Sequence, residues 1–332
     1  MGKDLILNDD KNMEPLLSIC LLCYNHEKFI KKALEGIVNQ KINFKWELLI
    51  ADDFSTDESR KVILDFLERN ELSASLFFPT SNTRVKIWKE MMDSAKGKYK
   101  AHIDGDDYWV DPLKCQKQVD YLENNPDVSF CFTNGYSFVD GNEIESKRLI
   151  NSDVPIIKTD FLNFLTNGDL VTHSSKIWRS DADINDWPEW VLGDPFKPDY
   201  FLNLIHLKSG MMAFLNFDSF RYRIHSASML NENTLIRFTE RGITFTKNLK
   251  SYYSPEFEGI FNDCLSWHYA DYSIDLMRKK SYILSLKYTF KSFYIGTSKS
   301  PKKLIKLMVQ LIKLTMPKKI KSGFKNIIKK KQ

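Results

Sequence analysis

Residues 98–112 read KYKAHIDGDDYWVDP, from Lys98 to Pro112, and the fold can be worked outward from this stretch. Asp104, Asp106 and Asp107 fall within four residues, directly after the strand-like run Tyr99 to Ile103, and Tyr108, Trp109 and the turn dipeptide Asp111-Pro112 follow. Carboxylates packed this closely repel one another, and burying them bare is costly. A cation removes that cost. Asp104 and Asp106, on either side of Gly105, can both reach one hard divalent ion, Mn²⁺ or Mg²⁺, from a tight turn. The competing reading is a solvated acidic turn, but a strand in front and aromatic residues behind are unusual surroundings for one.

Upstream, a polar leader (1–15) precedes Leu16 to Leu22, a buried strand ended by Tyr24-Asn25-His26. Glu27 to Asn39 places Phe29, Ile30, Ala33, Leu34, Ile37 and Val38 at the spacing of an amphipathic helix. Trp46 to Ala51 is a second strand, running into Asp52-Asp53, with Ser55 or Thr56 available to cap a helix over Asp57 to Asn70. A third strand near Ala74 to Phe78, the loop Pro79 to Thr83 and a helix from Val85 to Ala95 lead to the strand that enters the acidic turn. This alternation predicts an α/β fold: an open, mostly parallel sheet flanked by helices. In such sheets ligands bind beyond the carboxyl ends of the strands. Tyr24-Asn25, Asp52-Asp53, Asn82 and the acidic turn all fall there. No G-x-G-x-x-G follows the first strand and no phosphate-binding lysine loop is present, so dinucleotide and P-loop readings lack their glycines.

Three segments carry a resemblance: LSICLLCYNHEKFIKKALEGIVNQ, WELLIADDFSTDES and AKGKYKAHIDGDDYWVDPLKCQKQVDYLENNP. In content, order and spacing, over about Leu17 to Phe132, the chain resembles the family-2 glycosyltransferases of GT-A (Rossmann-like) fold, of the bacterial surface-polysaccharide type. The resemblance implies a nucleotide-sugar donor, usually a UDP-sugar, and a divalent metal held at the D-x-D. By that analogy Asp104 and Asp106 hold metal and diphosphate, and Asp107 shapes the turn with Gly105 or contacts the sugar. Cys23, Tyr24 and Asn25 line the nucleoside pocket with Asn82 nearby, and Asp52 or Asp53 accepts a hydrogen bond from the base or ribose.

The second half is less regular. A helix is expected over Lys114 to Asn124, strands over Val128 to Thr133 and Tyr136 to Val139, and another over Leu170 to Trp178. In similar enzymes this last region faces the sugar and acceptor, which makes Thr172, His173 and Ser174 acceptor candidates. After the loop Trp187 to Trp190, the family places an acidic residue before a helix that runs to a glycine. Asp199 fits, ahead of Tyr200 to Lys208 and Gly210, and is the preferred general base, with Asp194 its rival. Pro198 departs from the Gly or Glu usual before that aspartate. A short strand, Ala213 to Leu215, precedes Phe220 to His225. There the element Tyr222-Arg223-Ile224-His225 resembles the family's closing motif, in which the His completes the metal site and arginines, here Arg221 and Arg223, touch phosphate.

Charge is distributed unevenly. From Lys287 to Gln332 there are fourteen Lys and no Asp, Glu or Arg, against a net +5 for all 332 residues, so the remainder is acidic. Residues 231–300 read as a helical extension rich in aromatics. In the basic tail, 301–332, Leu304, Leu307, Met308, Leu311 and Ile312 share one helical face between lysines, the pattern of a helix lying on an anionic membrane. The absence of arginine and the continuous apolar face speak against nucleic acid. Five dispersed cysteines do not form a disulfide framework, and Cys20 and Cys23, three apart in a strand, point to opposite faces. No apolar signal core or membrane span is legible. The expectation is a catalytic domain over 16–230, divided into a nucleotide-sugar half (16–132) and an acceptor half (133–230). It would be cytoplasmic and bound peripherally to the inner face of the membrane, with a glycan or lipid-linked glycan acceptor. The alternatives are a non-catalytic nucleotide-sugar or membrane-binding module and a nucleotidyltransferase.

Overall fold

The computed structural model describes residues 14–167, 171–194, 196–225 and 235–296. The chain divides into two compact units, Met1–Ser228 and Met229–Gln332. The first opens with β1 (Leu17–Cys23), α1 (Ile30–Val38), β2 (Trp46–Asp52), α2 (Ser59–Arg69), β3 (Ser75–Phe77), α3 (Val85–Ser94) and β4 (Tyr99–Asp104). It continues through β5 (Tyr108–Trp109), α4 (Lys114–Asn124), β6 (Val128–Val139), β7 (Asn142–Arg148), β8 (Ile156–Thr159), α5 (Phe161–Asn167), β9 (Ile177–Arg179), α6 (Glu189–Leu192), α7 (Pro198–Ser209) and β10 (Met211–Ile224).

All ten strands join one sheet, in the order β3-β2-β1-β4-β9-β6-β10-β5, with β7 added on β6 and β8 on β10. The first four strands are parallel, as their alternation with helices requires. Beyond β4 the sheet is mixed: β9 runs antiparallel to both β4 and β6, β10 runs parallel to β6, and β5 runs antiparallel to β10. Parallel pairing thus runs through β3, β2, β1 and β4 and recurs between β6 and β10, with antiparallel strands filling the rest of the sheet. β1 is buried along its length, with Leu17, Ile19, Leu21 and Cys23 in one apolar cluster with Ile30, Ala33, Leu34 and Ile37 of α1. Burial pushes the Cys20 and Cys23 thiols up to about 12, so both are inert packing groups.

Several boundaries differ from the sequence expectation. The two strands expected from Val128 to Val139 form one continuous strand, as do the short strand at Ala213 and the segment reaching Ile224. They pair side by side, with register shifts between Leu215 and Phe220 absorbing the irregularity between them. His173–Ser175, expected in a strand, form a 3₁₀ turn, and only Ile177–Arg179 pair. The segment Trp187 to Trp190, expected to be loop, enters the short helix α6. Neither Ser55 nor Thr56 caps α2. That helix starts at Ser59 with no side-chain cap, because the two residues are engaged across the site instead.

A buried polar cluster pins β9 to its neighbours. The Lys176 ammonium donates to Asn203 Oδ1 (2.7 Å) and His206 Nδ1 (2.8 Å), and His206 Nε2 meets Asp183 Oδ1 at 2.8 Å. Asp183 also accepts from Lys100 (2.6 Å) and from the Trp178 indole (3.0 Å). One carboxylate thus serves two donors and the ring between the lysines.

The second unit contains α8 (Leu235–Tyr253), α9 (Glu258–Arg278) and α10 (Tyr282–Ile295). Ile243, Leu265, Tyr269, Tyr272 and Leu276 form its core. Ile283, Phe290 and Tyr294 of α10 stand exposed at 88%, 70% and 96%. The basic tail lies outside the described residues. Among those described, no helix is long and apolar enough to cross a membrane.

Candidate active site

Strand register brings the polar ends together. Cys23 aligns with Asp52 on one side of β1, and Leu22 aligns with Asp104 on the other. The loops after β1, β2 and β4 therefore leave the sheet at one level, beside the point where strand order reverses.

The β1 and β2 loops are tied by hydrogen bonds. Asn25 N–H donates to Ser55 Oγ, His26 N–H to Ser59 Oγ, Glu27 N–H to Asp57, Thr56 N–H to Asn25 Oδ1 and Glu58 N–H to Glu27. Asn25 takes a left-handed backbone (φ 56°), which Asn tolerates better than most residues, to make this exchange. Tyr24 projects from the loop, 46% exposed, while the Cys23 side chain is fully buried. Asp52, also fully buried, takes the Arg60 guanidinium at 2.9 Å and the Ser55 N–H. Its Oδ2 has no hydrogen-bond partner. Asp53 accepts the Thr83 and Arg84 N–H groups, both at 2.7 Å, and Asn82 donates to the Asp53 carbonyl. The two aspartates hold loops in place, and Tyr24 is the group left facing outward.

At the acidic turn each carboxylate has its own neighbours. Asp104 Oδ1 lies 3.0 Å from His102 Nε2, and His102 Nδ1 accepts the Trp88 indole N–H at 3.2 Å. Burial pushes the Asp104 carboxyl up, but the His102 ring and its hydrogen bond bring it below the usual carboxylate value. Asp107 is buried, accepting the Ser174 hydroxyl at 2.6 Å and the Arg223 N–H at 3.0 Å. Burial, reinforced by the charges of Asp106 and Asp104, raises its carboxyl well above the ordinary range. Gly105 lets the turn pack closely here, since a Cβ would lie 2.8 Å from Ile30 Cδ1 and 2.9 Å from His26 Nδ1.

Asp106 turns the other way. Its Oδ2 is 3.0 Å from His225 Nε2 and 3.7 Å from His26 Nε2. One ligand atom from each of His26, Asp106 and His225 lies within 4.8 Å of the other two, a donor set that fits a divalent cation. Of the residues expected at the metal, Asp106 and His225 are in this group, and Asp104 faces His102 and Ser174. Arg223 is a clamp: its Nε donates to the Asp106 carbonyl, its Nη1 to Asp140, and its plane lies over Phe29 and Phe138. Arg221 lies over Tyr136.

Asp199 sits in the first turn of α7, behind Pro198 and a left-handed Lys197 (φ 54°). Burial raises its carboxyl; the Tyr200 N–H works against this, and the Asp104 charge adds to it. The Tyr222 hydroxyl is pushed up by burial and then by the charges of Asp107, Asp104, Asp106 and Asp199. Asp194 accepts the Phe196 N–H in the loop ahead of α7. Among the acceptor candidates, Ser174 bridges to the acidic turn, and Thr172 bonds Ser175. The His173 ring lies against His102, with centroids 4.0 Å apart, and against Trp88.

Sequence reasoning missed His26, Trp88, His102 and Tyr222. His102 could have been found, since it precedes Asp104 by two in a strand and so shares its face. His26 adjoins residues already singled out, but nothing in its own spacing pointed to Asp106.

The family model described as glycosyl transferase family 2 matches residues 18–186, and the chain belongs to that family. An uncharacterized protein of Mycobacterium tuberculosis (strain H37Rv), Rv1520, is 30% identical over 218 residues, 63% of this chain and 59% of its own length. The chain thus spans about three-fifths of that relative. The Escherichia coli UDP-Glc:alpha-D-GlcNAc-diphosphoundecaprenol beta-1,3-glucosyltransferase WfgD is 27% identical over 221 residues, 64% of this chain and 79% of its own. In fold, the chain is similar to S. aureus TarS 1-349 in complex with UDP-GlcNAc (TM-score 0.62, 14% identity, 93% of this chain and 91% of that one). It is also similar to the mannosyltransferase PcManGT of Pyrobaculum calidifontis in complex with GDP-Man and Mn²⁺ (TM-score 0.54, 13% identity, 92% and 82%). These likenesses establish the GT-A fold.

Proposed function

We propose that the chain transfers a sugar from a UDP-sugar to a hydroxyl of a lipid-linked glycan, inverting the anomeric centre. The observation that carries this reading is the set of three carboxylates, Asp104, Asp106 and Asp107, at the carboxyl end of β4, two of them bonded to Ser174 of the acceptor-side 3₁₀ turn, together with a fourth, Asp199, in the first turn of α7. Three of those carboxylates suit the donor's diphosphate side, and the fourth, opening α7, suits the acceptor. The UDP donor and lipid-linked acceptor are taken from the likeness to WfgD, and the basic tail would hold the chain at the membrane surface where such acceptors lie.

Asp106 and His225, with His26 beside them, would hold a divalent cation. A bound cation offsets the negative charge that builds on the departing nucleoside diphosphate. Asp104, oriented by His102, contacts the donor, and Tyr24 lies along the nucleoside. Asp199 accepts the proton of the acceptor hydroxyl as its oxygen bonds the anomeric carbon. The bond from that carbon to the diphosphate oxygen breaks, and its electron pair leaves with UDP. Asp199 is preferred to Asp194 because it opens α7, whereas Asp194 is engaged by the Phe196 N–H in the loop ahead of that helix.

Titration with a panel of nucleotide sugars, followed by turnover with a polyprenyl-diphosphate-linked sugar and Mn²⁺, tests the reading. We expect one UDP-sugar to be consumed with release of UDP, and Asp199→Asn to lower the rate on the order of 10²–10⁴-fold while leaving donor binding intact. Donor binding without turnover on any such acceptor would favour a non-catalytic module. Release of inorganic diphosphate would favour a nucleotidyltransferase.

A further inference from the structure

We propose that His26 is a third protein ligand of the divalent cation. The chain then carries a two-histidine, one-carboxylate site that binds Mn²⁺ and later first-row ions in preference to Mg²⁺, and does so before a nucleotide sugar arrives. The inference rests on the metal-assisted reading above and extends it to a residue of the β1 loop.

The His26 ring packs against Phe29 and His225 but makes no hydrogen bond among the described residues. Its Nδ1 is buried without a hydrogen-bond partner, and its Nε2 stands 3.7 Å from Asp106 Oδ2, beyond hydrogen-bond range. Yet the residue is held firmly. Its N–H donates to Ser59 Oγ at 2.8 Å, and its carbonyl accepts the N–H groups of Phe29 and Ile30. A ring fixed by its backbone, mostly buried and with neither nitrogen satisfied costs free energy unless something engages it. A cation shared with Asp106 and His225 uses one ring nitrogen directly.

The spacing agrees. Neighbouring ligands about 2.1 Å from an octahedral ion lie about 3 Å apart, and opposite ligands about 4.2 Å. The separations here are 3.0 Å from His225 and 3.7 Å from His26 to the same Asp106 oxygen, with the whole set inside 4.8 Å. Three ligands drawn from the β1 loop, the acidic turn and the end of β10 leave further positions for diphosphate oxygens and water. Two imidazoles shift preference away from Mg²⁺, which favours oxygen donors, and toward Mn²⁺, Co²⁺ and Zn²⁺.

The test is Mn²⁺ binding to the full-length, chelator-treated protein without nucleotide, read by electron paramagnetic resonance. Electron spin-echo modulation from ligand nitrogens counts the coordinated imidazoles in the unmutated protein. Two imidazoles, Mn²⁺ retained against a tenfold excess of Mg²⁺, and at least tenfold weaker Mn²⁺ binding in His26→Ala are expected. One imidazole, or His26→Ala binding within twofold of the unmutated chain, overturns the proposal. Asp106→Asn separates the two readings: if it loses Mn²⁺ while His26→Ala does not, the cation reading stands without His26. If the chain binds Mn²⁺ only once UDP is added, the nucleotide-independent site is refuted. If it does not bind even then, the metal-assisted reading fails as well.

Discussion

The Trp88 indole N–H points at Nδ1 of His102 across 3.2 Å, and this contact decides what His102 can do. Indole nitrogen only donates, so Nδ1 must accept and the ring's own proton sits on Nε2. That proton faces Asp104 Oδ1 at 3.0 Å. His102 is therefore a neutral donor that aims a carboxylate. Trp88→Phe keeps the aromatic bulk and removes the donor. A lost neutral hydrogen bond is worth about 1 kcal/mol, so the donor KM should rise about fivefold with little change in kcat. Steady-state kinetics over donor concentration checks this, and an unchanged KM would mean that Asp104 needs no such aim.

Asp199 should leave its mark on the pH profile. Its carboxyl is raised by burial and by the Asp104 charge, against the Tyr200 N–H. A general base works only when deprotonated, so activity should fall as pH drops through a value above the ordinary Asp range of about 3.9. The acid limb of kcat/KM, measured with saturating acceptor, gives that value. In Asp199→Asn the limb should vanish along with most of the rate.

Stability should depend on pH through His206. Burial, with the Lys176 charge adding to it, depresses its imidazole to about 3, so the folded ring stays neutral where an unfolded one takes a proton near pH 6.5. The unfolded chain then binds more protons, and stability falls with decreasing pH from about 6.5 toward 3, by up to about 1.4 kcal/mol per pH unit. Asp183, depressed to about 2, adds a further loss below about 3.9. Urea unfolding from pH 7 to 4 should show this slope, and His206→Gln should flatten it even if the variant is less stable at pH 7.

Gly105→Ala should damage both stability and the site. The new Cβ would meet Ile30 Cδ1, His26 Nδ1 and, at 3.2 Å, the Leu22 carbonyl. Overpacking of this kind costs about 1–3 kcal/mol, and the ring it displaces is the one facing Asp106. We expect a melting temperature lower by several degrees and weaker Mn²⁺ binding in the same variant. A normal melting temperature with unaltered Mn²⁺ affinity would show that the turn can yield.

Residues 16–132 were legible because they repeat local signals: an apolar strand, a polar end, an amphipathic helix. Those signals place Tyr24, Asp52 and Asp104 at strand ends without any knowledge of tertiary contacts. The sequence could not show how the carboxylates divide their work. Asp53 and Asp104 look alike in the chain, yet Asp53 spends both oxygens on Thr83 and Arg84 while Asp104 meets His102 and Ser174. The second half hid its architecture for another reason. β6 and β10 pair in parallel across about 80 residues, with register shifts that interrupt the alternation a reader would follow. Arg223 carried a phosphate expectation, but its position opposite Asp106 and Asp140 follows from that pairing.

The hydrogen bonds between the β1 and β2 loops bear on how this scaffold can be re-engineered. Each loop supplies donors and acceptors to the other, so the pair behaves as one inheritable part. Grafting a relative's β1 loop alone, in the hope of changing nucleotide preference, would strand the Thr56 and Glu58 N–H groups, which bond the Asn25 and Glu27 side chains. The graft should be made as a matched set, residues 24–27 together with 52–59, and variation of the transferred sugar sought instead in the 3₁₀ turn at 173–175.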